Sequence, residues 1–237
     1  LISVGPSDLC PMQEIGAAWT SVREAVPDHV TVVAVSKTKP VEAVVAAHAA
    51  GARAFGENRV QELVGKHEAL THPDAPHHAD YADLQWHQIG TLQRNKVKYI
   101  APFVSLIHAV DQVSLLDEIE KRAAAARRRI PVLLQVHIAE EQTKFGFGAD
   151  DLPTVCDRLD AGDWAHVDVT GLMGMATFTP DTVQVGREFA GLRRQFESMG
   201  AGRNWTTLSM GMSGDWRIAV EEGSTMVRIG SAIFGSR

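Results

Sequence analysis

Eight short runs rich in β-branched and apolar residues alternate with longer helical patterns, and this alternation restricts the fold more than any other feature of the chain. Parallel strands joined by right-handed helical crossovers give a sequence of that form. The runs fall at residues 31–36, 53–56, 85–90, 104–110, 131–138, 168–173, 206–210 and 225–229. Several are apolar nearly throughout, as strands covered on both faces should be. Helical patterns occupy 40–50, 57–70, 112–127 and 181–199, and a further helix within 9–25 precedes the first strand. The predicted fold is α/β, a single (β/α)8 TIM barrel domain over residues 1–237, with an open doubly wound sheet as the alternative.

Composition narrows the function classes. Apolar residues at 45% and charged residues at 22% allow a large core and leave no room for extensive disorder. A net charge of −6 argues against a nucleic acid as main partner. The run Arg127-Arg128-Arg129 follows the alanines at 123–126 and reads as the charged C-terminal turn of a helix. Two cysteines, Cys10 and Cys156, share no CxxC spacing and give neither a disulfide framework nor a zinc motif. No run approaches the roughly 20 apolar residues of a membrane span, and no signal-peptide pattern opens the chain. The expected location is cytoplasmic, without membrane association.

Barrels of this kind gather their chemistry at the C-terminal ends of the strands. The first strand ends in Lys37, whose amine would sit over apolar neighbours, where burial favours the neutral, nucleophilic form that attacks aldehydes. A snorkelling surface lysine is the alternative, and Lys39 stands two residues on; Pro40 opens the next helix and leaves Lys39 in the loop. At the far end of the chain a strand runs into Gly230 and Ser231, a turn suited to a phosphate. Arg228, inside that apolar strand, must face a ligand or be paired. Ser213 lies in a small-residue segment after the seventh strand that can wrap the same phosphate, and Asp215 is placed to N-cap a helix over 216–222. Asn58 and His87 follow or lie in the second and third strands. His87, Met173 and Met210 are candidate lining residues, with ordinary core packing as the alternative, which also holds for Met212. His72, His77 and His78 share a loop without metal-site spacing, and no metal is expected.

Five blocks in fixed order resemble one family, the pyridoxal phosphate homeostasis proteins. They are Ala34-Val35-Ser36-Lys37-Thr38-Lys39-Pro40, Phe55-Gly56-Glu57-Asn58-Arg59-Val60-Gln61-Glu62, Trp86-His87-Gln88-Ile89-Gly90-Thr91-Leu92-Gln93-Arg94-Asn95-Lys96, Leu208-Ser209-Met210-Gly211-Met212-Ser213 and the stretch from Gly223 to Gly235. The resemblance implies a fold-type III barrel, similar to that of bacterial alanine racemase but without its C-terminal β-domain. It implies pyridoxal 5'-phosphate (PLP) as cofactor, carried as a Schiff base on Lys37. Ser213, Gly230 and Ser231 match the phosphate positions, Arg228 the arginine at the pyridine nitrogen, and Asn58 an asparagine beside the cofactor. Ser231 stands where many relatives have threonine. Lys144, in Thr143-Lys144-Phe145-Gly146, matches a family lysine with a hypothetical second role in handling the cofactor.

The implied function is intracellular PLP homeostasis: binding and supply of the cofactor to PLP-dependent apoenzymes through transient contacts, with indirect effects on amino-acid and keto-acid balance and no reaction of its own. The residues agree, since a two-base racemase needs an opposing acid or base, and the chain's only tyrosines, Tyr81 and Tyr99, lie away from the strand ends. A monomer is expected, because the racemases' dimerising domain has no counterpart here. Two other readings remain: a weak PLP-dependent racemase or transaminase, and an aldolase-type barrel that forms a lysine imine without any cofactor.

Overall fold

The computed structural model describes residues 11–75, 78–140 and 145–235. Helix α1 (Pro11–Ala25) leads into eight strands: β1 (Thr31–Val35), β2 (Ala54–Glu57), β3 (Gln85–Gln88), β4 (Leu106–Val110), β5 (Ile130–Val136), β6 (Val167–Gly174), β7 (Thr207–Met212) and β8 (Met226–Ile229). All neighbours are parallel, and β1 pairs with β8 to close the barrel. The helices between them are α2 (Val41–Ala49), α3 (Val60–Leu70), α4 (Val97–Ile100), α5 (Val113–Ala126), α6 (Leu152–Asp160), α7 (Thr182–Gly200) and α8 (Trp216–Glu221), and α9 (Ser231–Phe234) follows β8. The expected (β/α)8 barrel is therefore the fold, and the open-sheet alternative falls away.

Strand side chains alternate between two apolar layers. Val32, Ala34, Phe55, Trp86, Ile107, Leu134, Leu172 and Val227 point outward and pack under the helices. Val33, Ala54, Leu106, Ala109, Leu133, Met173 and Met226 fill the interior. Both layers are largely apolar, which explains strands that are apolar at most positions. Register breaks once on β6, between the pairs Val132↔Val169 and Leu133↔Gly171. Gly171 permits it: φ is +153°, and a β-carbon there would lie 1.9 Å from the Thr207 carbonyl oxygen.

Several element boundaries differ from the sequence reading. Glu57, assigned from sequence to the start of a helix at 57–70, is instead the last residue of β2, and α3 begins three residues later. The third strand ends at Gln88 rather than residue 90, and the fourth starts at Leu106 rather than residue 104. Helix α6 buries Leu152, Val155 and Cys156 along one face.

The arginine run is also corrected. Helix α5 ends at Ala126, and Arg127 takes the left-handed conformation (φ 54°) that stops it. Arg128 turns back onto the chain, donating to the carbonyls of Ala101 at 2.7 Å and Val104 at 2.8 Å. It ties the α4–β4 connection to the end of α5 rather than decorating a helix terminus. No helix among the described residues is long and apolar enough to cross a membrane. Cys10, His77, Thr143 and Lys144 lie outside the described residues.

Candidate functional site

A cavity of about 620 Å³ opens at the C-terminal end of the barrel, of a size that suits a small-molecule ligand. Lys37, Asn58, Ser213, Arg228, Gly230 and Ser231, all singled out in the sequence, line this one cavity. Lys39 lines it too, and Phe145 and Phe178 form part of its wall while exposing 63% and 98% of their surface.

Lys37 sits in a turn that runs from Ser36 to Lys39, closed by the Lys39 amide donating to the Ser36 carbonyl at 3.0 Å. Thr38 at its apex has φ +65°, a strained value for a β-branched residue. The turn is held from below by residues that sequence reasoning missed. The Ser36 hydroxyl donates to Glu57 Oε1 at 2.6 Å, and Lys66 Nζ donates to the same oxygen at 2.7 Å and to the Ser36 carbonyl at 2.8 Å. The Thr38 amide donates to Glu62. Burial pushes the Glu57 carboxyl above its ordinary pKa, and the Lys66 ammonium opposes that shift. Glu57 Oε2 is buried without a partner. A lysine and two glutamates spaced along β2 and α3 would have been legible as a cluster only once Glu57 was known to face inward.

The opposite wall comes from the last two strands. The Gly230 amide donates to Ser213 Oγ at 3.2 Å, so two of the three sequence-predicted phosphate residues already touch. A β-carbon at Gly230 would lie 3.2 Å from the Val35 carbonyl oxygen, which leaves no slack where β8 leaves the barrel beside β1. Helix α9 is one turn long, so anion affinity here rests on local amides and hydroxyls more than on a helix dipole. Asp215 stands at the N-cap position of α8 but does not cap it; its carboxylate accepts from the Met212 amide and shapes the loop that carries Ser213.

Arg228 is buried on β8 and donates to the Ser209 carbonyl at 2.9 Å, Ser209 Oγ at 2.6 Å and the Gly174 carbonyl at 3.1 Å. Among the described residues no carboxylate lies within ion-pair distance of it. Burial lowers its pKa to about 10, which leaves it charged at neutral pH. The sequence expectation that this arginine must pair or face a ligand is thereby decided: its partners are neutral, and it faces the cavity.

Three lining candidates do not line the cavity. Met173 lies in the barrel interior, and Met175, two residues on, reaches the wall instead. Met210 packs outward under the helices, whereas Met212 lines the cavity; Gly211 at φ +95° and the register break between Ser209 and Met212 switch the face. His87 is buried beneath the site, 3.1 Å from His108, whose other ring nitrogen is 3.2 Å from Ser209 Oγ. Neither tyrosine lines the cavity: Tyr81 packs edge-on against His48, and Tyr99 lies under the ammonium groups of Lys96 and Lys98. His72 pairs with Asp74 at 3.6 Å, and His78 is exposed in a short 3-10 turn.

Residues 12–237 match the model of the alanine racemase N-terminal domain family. The chain is 37% identical over 231 residues to the pyridoxal phosphate homeostasis protein of Pseudomonas aeruginosa, covering 95% of each chain. PipY of Synechococcus elongatus has been solved without PLP (TM-score 0.85, 34% identity) and with PLP bound (TM-score 0.81, 33% identity); both comparisons cover 93% of this chain and 100% of that one. The alanine racemase of Clostridium difficile, at 10% identity and TM-score 0.75, shares the fold over 95% of this chain and 57% of its own.

Proposed function

The chain belongs to the pyridoxal phosphate homeostasis proteins, within the alanine racemase N-terminal domain family, and on that premise we propose that it binds PLP at Lys37 and holds it for supply rather than for turnover. The observation that carries this reading is Arg228, a buried guanidinium without a carboxylate partner among the described residues, on the wall of the cavity that Lys37 enters. A buried cation of this kind calls for an acceptor ligand. The opposite amides and hydroxyls call for an anion, and the amine calls for a carbonyl. PLP presents all three in one molecule.

In this reading Gly230, Ser213 and Ser231 bind the phosphate, Asn58 contacts the phenolic oxygen, Arg228 donates to the ring nitrogen and Lys37 is the covalent anchor. When bound, the cofactor supplies an aldehyde that condenses reversibly with amines. The protein's own groups then orient the ring and keep it tethered. An unprotonated ring nitrogen facing Arg228 makes a weak electron sink, and no tyrosine stands on the cavity wall to act as a second base. Both favour a tether over a racemase. The structure of PipY with PLP bound supports the same ligand. We further infer a monomer that works in the cytoplasm and meets PLP-dependent apoenzymes only transiently.

Borohydride reduction of the yellow protein followed by peptide mapping should place a pyridoxyl group on Lys37, and Lys37→Ala should abolish it. Labelling confined to Lys39 or Lys144 would overturn the assignment of the amine, and a protein that stays colourless with added PLP would overturn the cofactor. Racemase and transaminase assays should show no turnover above that of Lys37→Ala; robust Lys37-dependent turnover would replace the carrier reading by a catalytic one.

A further inference from the structure

A hydrogen-bonded chain crosses the barrel interior and ends on Arg228. Ser209 Oγ accepts from the guanidinium at 2.6 Å and lies 3.2 Å from His108 Nδ1, and His108 Nε2 lies 3.1 Å from His87 Nδ1. All four residues are buried. Among the described residues no carboxylate enters the chain: the three bonds of Arg228 go to two carbonyls and a hydroxyl.

The direction of the chain follows from satisfying each buried hydrogen. Ser209 Oγ already accepts from Arg228, so its own hydrogen goes to its other polar neighbour, His108 Nδ1. His108 then carries its proton on Nε2 and donates it to His87 Nδ1, which leaves His87 protonated on Nε2 as well. Both rings are neutral. Burial lowers the pKa of His87 to about 4, and burial, His87 and Arg228 together hold that of His108 well below the ordinary value.

We propose that His87, His108 and Ser209 form a neutral relay that positions Arg228 and leaves its charge unopposed toward the cavity, making the site selective for a ring whose facing atom is an unprotonated acceptor. His108, in the middle, is the positioning residue; it is not among the residues that line the cavity. A carboxylate in place of Ser209 would instead pair the guanidinium and weaken its field at the ligand, since opposite charges at contact largely cancel beyond the pair. Ser209, through its carbonyl and hydroxyl, and the Gly174 carbonyl hold three of the guanidinium's five N–H donors, which leaves two for the ligand. This inference rests on the cavity taking PLP.

Two ligands that differ in one atom test it: PLP and its 1-deaza analogue, which has a carbon in place of the ring nitrogen. The wild type should bind PLP at least about tenfold more tightly, as expected for one hydrogen bond to a charged group. His108→Leu should bring the two affinities together, mainly by weakening PLP, while the analogue's affinity and its Lys37 adduct persist. An unchanged preference in folded His108→Leu, or no preference in the wild type, would overturn the relay. Should the variant fail to fold, nitrogen-15 spectra of the wild-type imidazoles decide: two neutral rings, each protonated on Nε2, are required, and a charged or Nδ1-protonated ring overturns the proposal. A wild type that binds neither ligand overturns the cofactor reading itself, a distinct outcome.

Discussion

Lys66 and Glu57 meet at 2.7 Å, both buried, directly under the turn that carries Lys37. Desolvation makes such a pair a poor net stabiliser, but removing one partner strands a charge. Lys66→Met should therefore destabilise the protein by about 3–5 kcal/mol in urea unfolding, and adding Glu57→Gln should recover part of that loss. The single variant should also lower PLP affinity, because the Ser36 carbonyl loses its donor. The buried histidines give a second prediction. His87 has its folded-state pKa depressed to about 4, below the ordinary 6.5, so the unfolded chain binds more protons between those values. Stability is then present above about pH 6.5 and lost as pH falls toward 4, by about 3 kcal/mol for this residue, with His108 acting in the same direction. His87→Gln should flatten the dependence of unfolding free energy on pH across that window; an unchanged slope would mean that His87 is charged in the native state.

At the scale of elements, the site depends on how closely strand ends approach one another. Gly90, after β3, faces Asn58 so tightly that a β-carbon would lie 2.5 Å from the Asn58 carbonyl oxygen. Gly90→Ala must displace backbone, at a cost of about 1–3 kcal/mol typical of overpacking, and should weaken PLP binding by moving Asn58. A thermal melt and a PLP titration check both effects. Helices and strands with full apolar faces were legible in the sequence: α5 and α7 and all eight strands. What was not legible was where a strand ends when its last residue is a buried acid. Glu57 looks like the first turn of an acidic helix, whereas its backbone pairs with β3 and its buried carboxylate is held by Ser36 and Lys66. Met210 and Met212 likewise share one face by strict alternation, and the break at Gly211 separates them.

Over the whole molecule, the first and last strands are neighbours. The pairs Val32↔Val227, Val33↔Arg228 and Ala34↔Ile229 form the seam that closes the barrel, and the cavity sits at its upper end. A ligand tethered at Lys37 and bound through its phosphate at Gly230 spans that seam. Loading with PLP should therefore increase hydrogen-exchange protection in residues 36–39 and 211–231 and leave α5 and β5 unchanged; uniform protection would point to a different seat. Sequence by itself determined the alternation of eight apolar strands with helices, because both faces of each strand must be covered, and it pointed to six residues of the cavity, because residues following parallel strands gather at one rim; closure of the sheet came from the pairing of β1 with β8. Tertiary structure alone decided what lies underneath. Whether His87 lines the site or supports it, whether Arg228 has a counter-ion, and what holds the Lys37 turn all depend on contacts between residues 19 to 101 positions apart, which no local pattern encodes.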